Sequence, residues 1–208
     1  MLGSESKHSL SFFDLVIFVR WGALMTRSEI REYVEAFVVA VLLALFIITF
    51  IAQSFRVEGS SMEPTLHDGQ RLIVDKLSYR FSTPKVGDVV VFRYPTDVNR
   101  MFIKRVIGIP GDEILIEDGI VYRNGRALVE NYINGPTHGA FTRNYGPVVI
   151  PPDSYFVLGD NRLNSDDSRY PDVGFVPKDH LVGRAIFAYW PLNTIGIIRV
   201  PDSLKQER

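Results

Sequence analysis

The 208-residue chain contains no cysteine. That excludes a disulfide framework and any cysteine-held metal or iron–sulfur centre. Its four histidines, His8, His67, His138 and His180, are far apart and show no ligand spacing, so no metal and no other cofactor is expected. Charge of one sign is also missing. The net charge is −1 and the lysines and arginines are scattered, which gives no footprint for a nucleic-acid partner. There is no internal repeat and no low-complexity segment, and after residue 60 no amphipathic helical period of useful length. What remains is enough chain for one soluble domain of ordinary size, plus one long uncharged run.

That run is "AFVVAVLLALFIITFIAQSF", residues 36–55. About twenty residues at 1.5 Å each match the roughly 30 Å hydrocarbon layer of a bilayer. A cleavable leader fits badly, because the run is long, starts far from Met1 and lacks a small-residue cleavage pattern behind it. The expectation is a retained single transmembrane helix over 36–55. Arg20, Arg27 and Arg31 before it, against Arg56 and Arg71 after it, favour an N-terminus on the inside. Residues 9–24 are apolar too, but Asp14 and Arg20 interrupt them, so they read as an interfacial amphipathic segment. The chain thus divides into an N-terminal segment 1–35, an anchor 36–55 and an extracytoplasmic domain 56–208.

Beyond residue 55, short runs rich in β-branched and aromatic residues alternate with turns. "RLIVDKL", "DVVVFRY" and "FIKRVIGI" are strands on this pattern, and "SYFVLG", "HLVGRAIFAYW" and "IGIIRV" add more. Asp118-Gly119 and Asn124-Gly125 are dipeptides suited to tight hairpin turns. The expected fold is mainly β: packed, coiled antiparallel sheets with a small hairpin insertion, ending in a frayed tail over 202–208.

Three stretches could do chemistry. In "GSSMEPTL", Gly59 and Pro64 constrain a loop that carries Ser60 and Ser61, although an ordinary turn or a Thr65 helix cap explains it as well. In "MFIKRVIGIPGD", Lys104 interrupts an apolar strand. Most strand lysines reach solvent with their tips, but a buried one has its neutral amine favoured, and with it the capacity to act as a base. In "GDNRLNSDDSRYP", Asp160, Arg162, Asp166, Asp167 and Arg169 crowd a loop with Ser165 and Ser168. Surface ion pairs explain that loop too; the alternative is a scaffold aiming a hydroxyl and an ion pair at a site.

Taken together and in this order behind an apolar anchor, the three stretches resemble the bacterial type I signal peptidases (leader peptidases), serine proteases with a Ser–Lys dyad. The likeness runs from about residue 36 to 190 and includes the intervening "GDVVVFRYP". It implies a membrane-anchored endopeptidase, on the outer face of a bacterial cytoplasmic membrane, that cuts signal peptides from secretory preproteins after small residues in an Ala-x-Ala pattern. By position, Ser61 matches the nucleophile and Lys104 the general base. Ser165 matches the hydroxyl that orients the lysine, Asp167 and Arg169 its supporting ion pair, and Asp160 a structural carboxylate near that pair. The oxyanion hole would use the N–H of Ser61 with Ser60 or a backbone group admitted by Gly59, which stands where some relatives carry a serine. Phe55, Val57, Met62, Leu66, Val91 and Ile103 match the residues of the substrate pockets. The partners expected are preproteins and the lipid bilayer, and the chain is expected to be a monomer. Two alternatives compete: a membrane-tethered β module that binds extended peptides without cutting them, and a serine–histidine peptidase using His67 or His180.

Overall fold

A computed structural model describes residues 26–47, 51–139 and 143–208. They fall into two units, Met1–Ile47 and Ile48–Arg208. The described part of the first is helix α1 (Arg27–Phe46). Thr26 starts it with a capping box: its Oγ1 accepts the Glu29 N–H at 3.3 Å, and the Glu29 carboxylate accepts the Thr26 N–H at 2.6 Å. Arg31 and Glu35, one turn apart, pair at 2.6 Å. From Ala36 onward the side chains are apolar on every face and none is buried.

Among the described residues, no helix is long and apolar enough to cross a membrane. Two features set that outcome. The first nine residues of α1 include Arg27, Glu29, Arg31, Glu32 and Glu35. At the other end, Ala52, Gln53, Ser54 and Phe55, expected to be the last turn of an anchor, instead form a strand with Arg56. Residues 48–50 and the segment 9–24 lie outside the described residues.

The second unit is mainly β. Its strands are β1 (Ala52–Arg56), β2 (Arg71–Asp75), β3 (Val89–Tyr94), β4 (Asp97–Gly108), β5 (Glu113–Glu117), β6 (Ile120–Arg123), β7 (Arg126–Ala127), β8 (Tyr145–Val149), β9 (Ser154–Leu158), β10 (Val176–Pro177), β11 (Leu181–Trp190) and β12 (Gly196–Ile197). One sheet runs β1-β2-β11-β3-β4-β9-β10, with β12 on β11. The other runs β7-β6-β5-β8. Every strand pair is antiparallel. The small sheet is the expected insertion, and both its hairpin turns have positive φ at the two central residues, Asp118-Gly119 and Asn124-Gly125.

Strand β3 shows how the large sheet is held. Its side chains alternate between two faces, and both are covered. Val89 and Val91 pack with Leu72, Val74, Ala185 and Ala188, whereas Val90 and Phe92 pack with Val106, Tyr155 and Val157. A third cluster, built on Ile107, Ile114, Ile116 and Phe156, joins the two sheets. A strand buried on both sides reads as an unbroken apolar run, as "VVVF" does.

The tail is not frayed. Leu204 is fully buried, Arg123 donates to the Glu207 carbonyl at 2.8 Å, and Arg208 donates to Asp88 at 2.8 Å. Asp88 is itself buried and also accepts from Tyr79 and from the Lys85 N–H. One buried leucine and one buried ion-pair partner together outweigh the chain entropy of a short segment. Deleting residues 202–208 is therefore expected to cost about 3 kcal/mol. In thermal unfolding that is a fall in Tm of roughly 6–12 °C. An unchanged Tm would show that the docked tail contributes nothing.

Candidate active site

The serine loop starts where β1 ends. Its base is clipped by Val57 N–H to the Gln70 carbonyl at 2.8 Å and Gly69 N–H to the Val57 carbonyl at 2.9 Å. Gly59 adopts φ +85°, open to glycine but strained for other residues, and donates its N–H to Asp68 at 2.8 Å. Met62 and Leu66 were expected in the substrate pockets. At 1% and 2% exposure they pack in the core cluster beneath the loop, with Val57 and Val91, and are not among the residues lining the cleft. Apolar residues in a tight loop serve equally as wall or as anchor, and here they pin the loop from below. From above, Asn161 holds it, donating its N–H to the Ser61 carbonyl at 3.0 Å and its amide to the Ser60 carbonyl at 3.1 Å.

Lys104 comes to the same place from β4. Strand β9 pairs with β4 only from Arg105 onward, so the strand edge at Lys104 is left open. Its Nζ lies 2.8 Å from Ser61 Oγ, 3.0 Å from the Ile103 carbonyl and 5.1 Å from the centre of the Phe102 ring. The side chain is only 4% exposed. Burial pushes its pKa down from 10.5 to about 8; Asp167, Asp166 and Asp160 oppose the shift and Arg169 adds to it.

Asp160, matched to a structural carboxylate near the Asp167–Arg169 pair, follows Gly159, whose N–H Asp167 accepts, and has a counter-ion of its own. Arg105, the residue after Lys104, donates Nε to Oδ1 at 2.8 Å and Nη2 to Oδ2 at 2.6 Å, and Thr65 of the serine loop donates to Oδ2 at 2.5 Å. Both charged side chains are essentially inaccessible. Arg105 also donates to the Gly87 carbonyl at 2.9 Å. Sequence reasoning missed this residue, although strand alternation offered a signal: if Lys104 faces the site, its neighbour must enter the core on the other side and needs a buried acid there.

Asp167 and Arg169 do pair, at 2.7 and 2.9 Å, and Asp167 also accepts the Gly159 N–H at 3.0 Å. Arg169 then ties the loop together through the carbonyls of His138 and Arg162. Ser165 lies in the cleft with Lys104, but its buried hydroxyl has no hydrogen-bond partner among the described residues, so it makes no bond to the lysine in this conformation. Ser60 Oγ accepts from Asn164 at 2.9 Å.

The cleft over the Ser61–Lys104 pair has a volume of about 680 Å³. Of the residues matched to substrate pockets, Phe55, Val57, Val91 and Ile103 line it. Two strand edges face into it: β1, which is terminal in its sheet, and the part of β4 before Arg105 that β9 does not reach. The two histidines considered as bases are elsewhere. His67 faces Glu63 at 3.6 Å and His180 contacts the Arg93 carbonyl, and neither lines the cleft. Among the described residues, no group of three His, Asp or Glu is placed to hold a metal ion.

The comparisons with known proteins agree with one another. The sequence profile of the family described as "Signal peptidase, peptidase S26" matches residues 30–190. "Probable signal peptidase I-2" of Synechocystis sp. is 47% identical over 173 residues, covering 80% of this chain and 76% of that protein. "Signal peptidase I" of Leptolyngbya laminosa is 42% identical over 184 residues, covering 85% and 87%. "Signal peptidase I T" of Bacillus subtilis is 42% identical over 168 residues, covering 78% and 86%. The chain belongs to the type I signal peptidase family, peptidase S26, and is a serine endopeptidase of that family.

Proposed function

We propose that this enzyme removes signal peptides from translocated preproteins through an acyl-enzyme made on Ser61, with Lys104 as general base. The observation that carries the proposal is the 2.8 Å separation of Lys104 Nζ and Ser61 Oγ in a buried setting that favours the neutral amine. A serine hydroxyl is a weak nucleophile until a neighbour takes its proton. The uncharged Lys104 accepts that proton as Ser61 Oγ attacks the scissile carbonyl, and the resulting ammonium gives it to the leaving amine. Water activated by the same amine then releases the acyl group. Ser165, Asp167 and Arg169 act as supports: the ion pair shapes the loop, and the unpartnered Ser165 hydroxyl is available to the lysine as it gains and loses charge.

Negative charge on the attacked oxygen needs donors aimed at it. The Ser61 N–H is the first. The Ser60 hydroxyl is the second, since it accepts from Asn164 and keeps its own proton to donate; the backbone at Gly59 is the alternative. The peptide enters as an added strand between the open edges of β1 and β4, so alternate side chains meet one wall. Phe55, Val57, Val91 and Ile103 leave shallow apolar pockets on that wall, which suits small residues before the cut.

Membrane attachment belongs to the same proposal. With β1 starting at Ala52, the uncharged stretch shortens to residues 36–51, about 24 Å as a helix, which is shorter than the roughly 30 Å hydrocarbon layer and requires local thinning of the bilayer or flanking side chains that reach to its surface. It serves as the anchor, with the N-terminus inside and the β domain outside. Holding Ser61 near the outer surface raises the local concentration of substrates whose signal helices still lie in lipid.

The test is cleavage of a preprotein by the full chain across pH, with the cut site read by mass spectrometry. Only the amine form of Lys104 works as a base, so kcat/KM is expected to rise with pH through about 8. The gain between pH 7 and pH 9 should be about tenfold. A profile controlled near pH 6.5 would assign the base to histidine and reject the dyad.

A further inference from the structure

The charged side chains that line the cleft over the catalytic pair are Arg56, Glu58, Arg100, Lys104 and Asp166. Lys104 is accounted for by the chemistry. Arg100 is held by aromatic rings, its guanidinium carbon 5.4 Å from the centres of Tyr94 and Phe102. Asp166 is different. It stands between two buried residues, Ser165 and Asp167, yet is itself exposed, and among the described residues it forms no ion pair. The nearby acids Asp160 and Asp167 are committed to Arg105 and Arg169. The proposed chemistry gives Asp166 no part.

Cleft geometry says which part of a substrate meets it. Strand β9 covers β4 from Arg105 onward, and just past its end Gly159 packs so closely on Ser165 that a Cβ there would stand 2.2 Å from Ser165 Oγ. The edge of β4 is thus closed on one side of Lys104 and open on the other, along residues 99–103, which line the cleft. A peptide can pair as a strand only along the open side, where Phe55, Val57, Val91 and Ile103 form the apolar wall for small residues before the cut. Residues after the cut have passed Lys104 and left that edge. The cleft wall remaining for them is Asn164, Ser165 and Asp166, with the loop at Gly59 and Ser60. The charges divide accordingly. Arg56 on β1 and Arg100 on β4 flank the section before the cut, and the Asp166 carboxylate stands beyond it. Its nearness to the reacting atoms has separate support, since burial lowers the Lys104 pKa and Asp167, then Asp166, oppose that shift.

We infer that Asp166 sets a charge preference just after the cut, favouring a lysine or arginine among the first two residues of the released chain and disfavouring an aspartate or glutamate there. The inference rests on the catalytic reading proposed above. The strand edges hold the peptide and this charge biases the choice among peptides, so the effect is a preference and not a requirement. An exposed carboxylate facing an exposed substrate charge changes the rate about twofold in either direction relative to a neutral residue. Glu58, at the start of the serine loop, is the competing acid.

The full chain, in detergent, is given preproteins that compete in one reaction and differ only by lysine, glutamine or glutamate at the first or second position after the cut. Mass spectrometry of the products gives their relative kcat/KM. Wild type should favour lysine over glutamate about fourfold at low salt, with glutamine between them, and the ratio should fall toward one as salt approaches about 0.5 M. Asp166→Asn should bring the ratio to about one, and Asp166→Lys should reverse it. Each ratio compares substrates of the same enzyme, so changes in the basicity of Lys104 or in the amount of folded protein cancel, and a merely structural role for Asp166 would not move it. No preference in wild type, or one that persists in Asp166→Asn, overturns the inference. A preference lost in Glu58→Gln and kept in Asp166→Asn gives the role to Glu58 instead. A charge preference before the cut that Asp166→Asn abolishes puts the carboxylate on the wrong flank and overturns the inference as well. Cleavage retained in Ser61→Ala rejects the catalytic reading, and this inference with it; cleavage that needs Ser61 but ignores charge after the cut rejects this inference alone.

Discussion

Ser61→Ala and Lys104→Met are each expected to lower kcat/KM for preprotein cleavage at least about a thousandfold, and the double variant should be no worse than either single one. The two side chains form one proton-transfer unit, with Nζ and Oγ 2.8 Å apart, so losing either disables the other. An extended peptide is held by backbone groups at the strand edges, and neither substitution removes backbone, even at Lys104 on the open edge of β4, so both variants should retain substrate binding. Product detection by mass spectrometry with a parallel binding measurement checks both halves. Wild-type turnover in either variant removes the dyad. Binding and cleavage lost together would point to a distorted fold rather than a missing base.

Lys104→Met carries a second signature, on stability. With the pKa pushed from 10.5 down to about 8, protonating the buried amine costs the fold roughly 3 kcal/mol. The sign follows from linkage. Above 10.5 the amine is neutral in folded and unfolded chains alike, and no penalty exists. As pH falls from 10.5 to about 8 the unfolded chain takes up the proton first, the penalty grows, and below about 8 it is complete. Methionine fills a similar volume without the charge. The variant should therefore melt roughly 5 °C above wild type at pH 7, after allowing for lost contacts, and the gap should shrink as pH is raised toward 10. A constant gap would indicate better packing, not relief of a buried charge.

Much of this arrangement was legible before any coordinates, and what was not has identifiable causes. The turns at Asp118-Gly119 and Asn124-Gly125 were legible because positive φ is a local demand that few residues meet. Strands β3 and β9 were legible because nothing in "VVVF" or "SYFVL" competes with a buried strand. Strand β1 was not. Ala52 and Phe55 suit lipid and protein interior equally, and the contact that decides between them is register with β2, Phe55 opposite Leu72. The tail misled for the converse reason: seven mostly polar residues look soluble, and one leucine with a distant pocket reverses that. Asp160 shows the same limit at the site. Its structural role was given only by resemblance, and the counter-ion that fills that role, Arg105, stands 55 residues away. Met62 and Leu66 show that spacing alone does not separate pocket wall from core.

Gly159→Ala is expected to lower kcat/KM about a hundredfold or more and to destabilise the domain by about 1–3 kcal/mol. Gly159 follows β9, at the point where that strand stops pairing with β4 and leaves the edge at Lys104 open. A Cβ there would stand 2.4 Å from the Ser61 carbonyl oxygen, 2.2 Å from Ser165 Oγ and 2.6 Å from Ser165 Cβ. The Ser61 carbonyl is backbone, fixed by the Asn161 N–H at 3.0 Å, so relief requires moving the serine loop away from Lys104. Shifts of about an ångström are enough to disable a proton transfer that works at hydrogen-bond distance. Gly196→Ala is the control, since a Cβ at that position meets nothing within 4 Å. Adding Ser165→Gly to Gly159→Ala separates the two clashes. The pair should regain part of the lost stability, because both Ser165 contacts vanish, yet stay far below wild type in turnover, because the Ser61 contact remains. Recovery of wild-type turnover in the pair would shift the burden from the serine loop to Ser165. Wild-type turnover in Gly159→Ala alone would mean that the loop moves freely enough to make its present contact irrelevant to the chemistry.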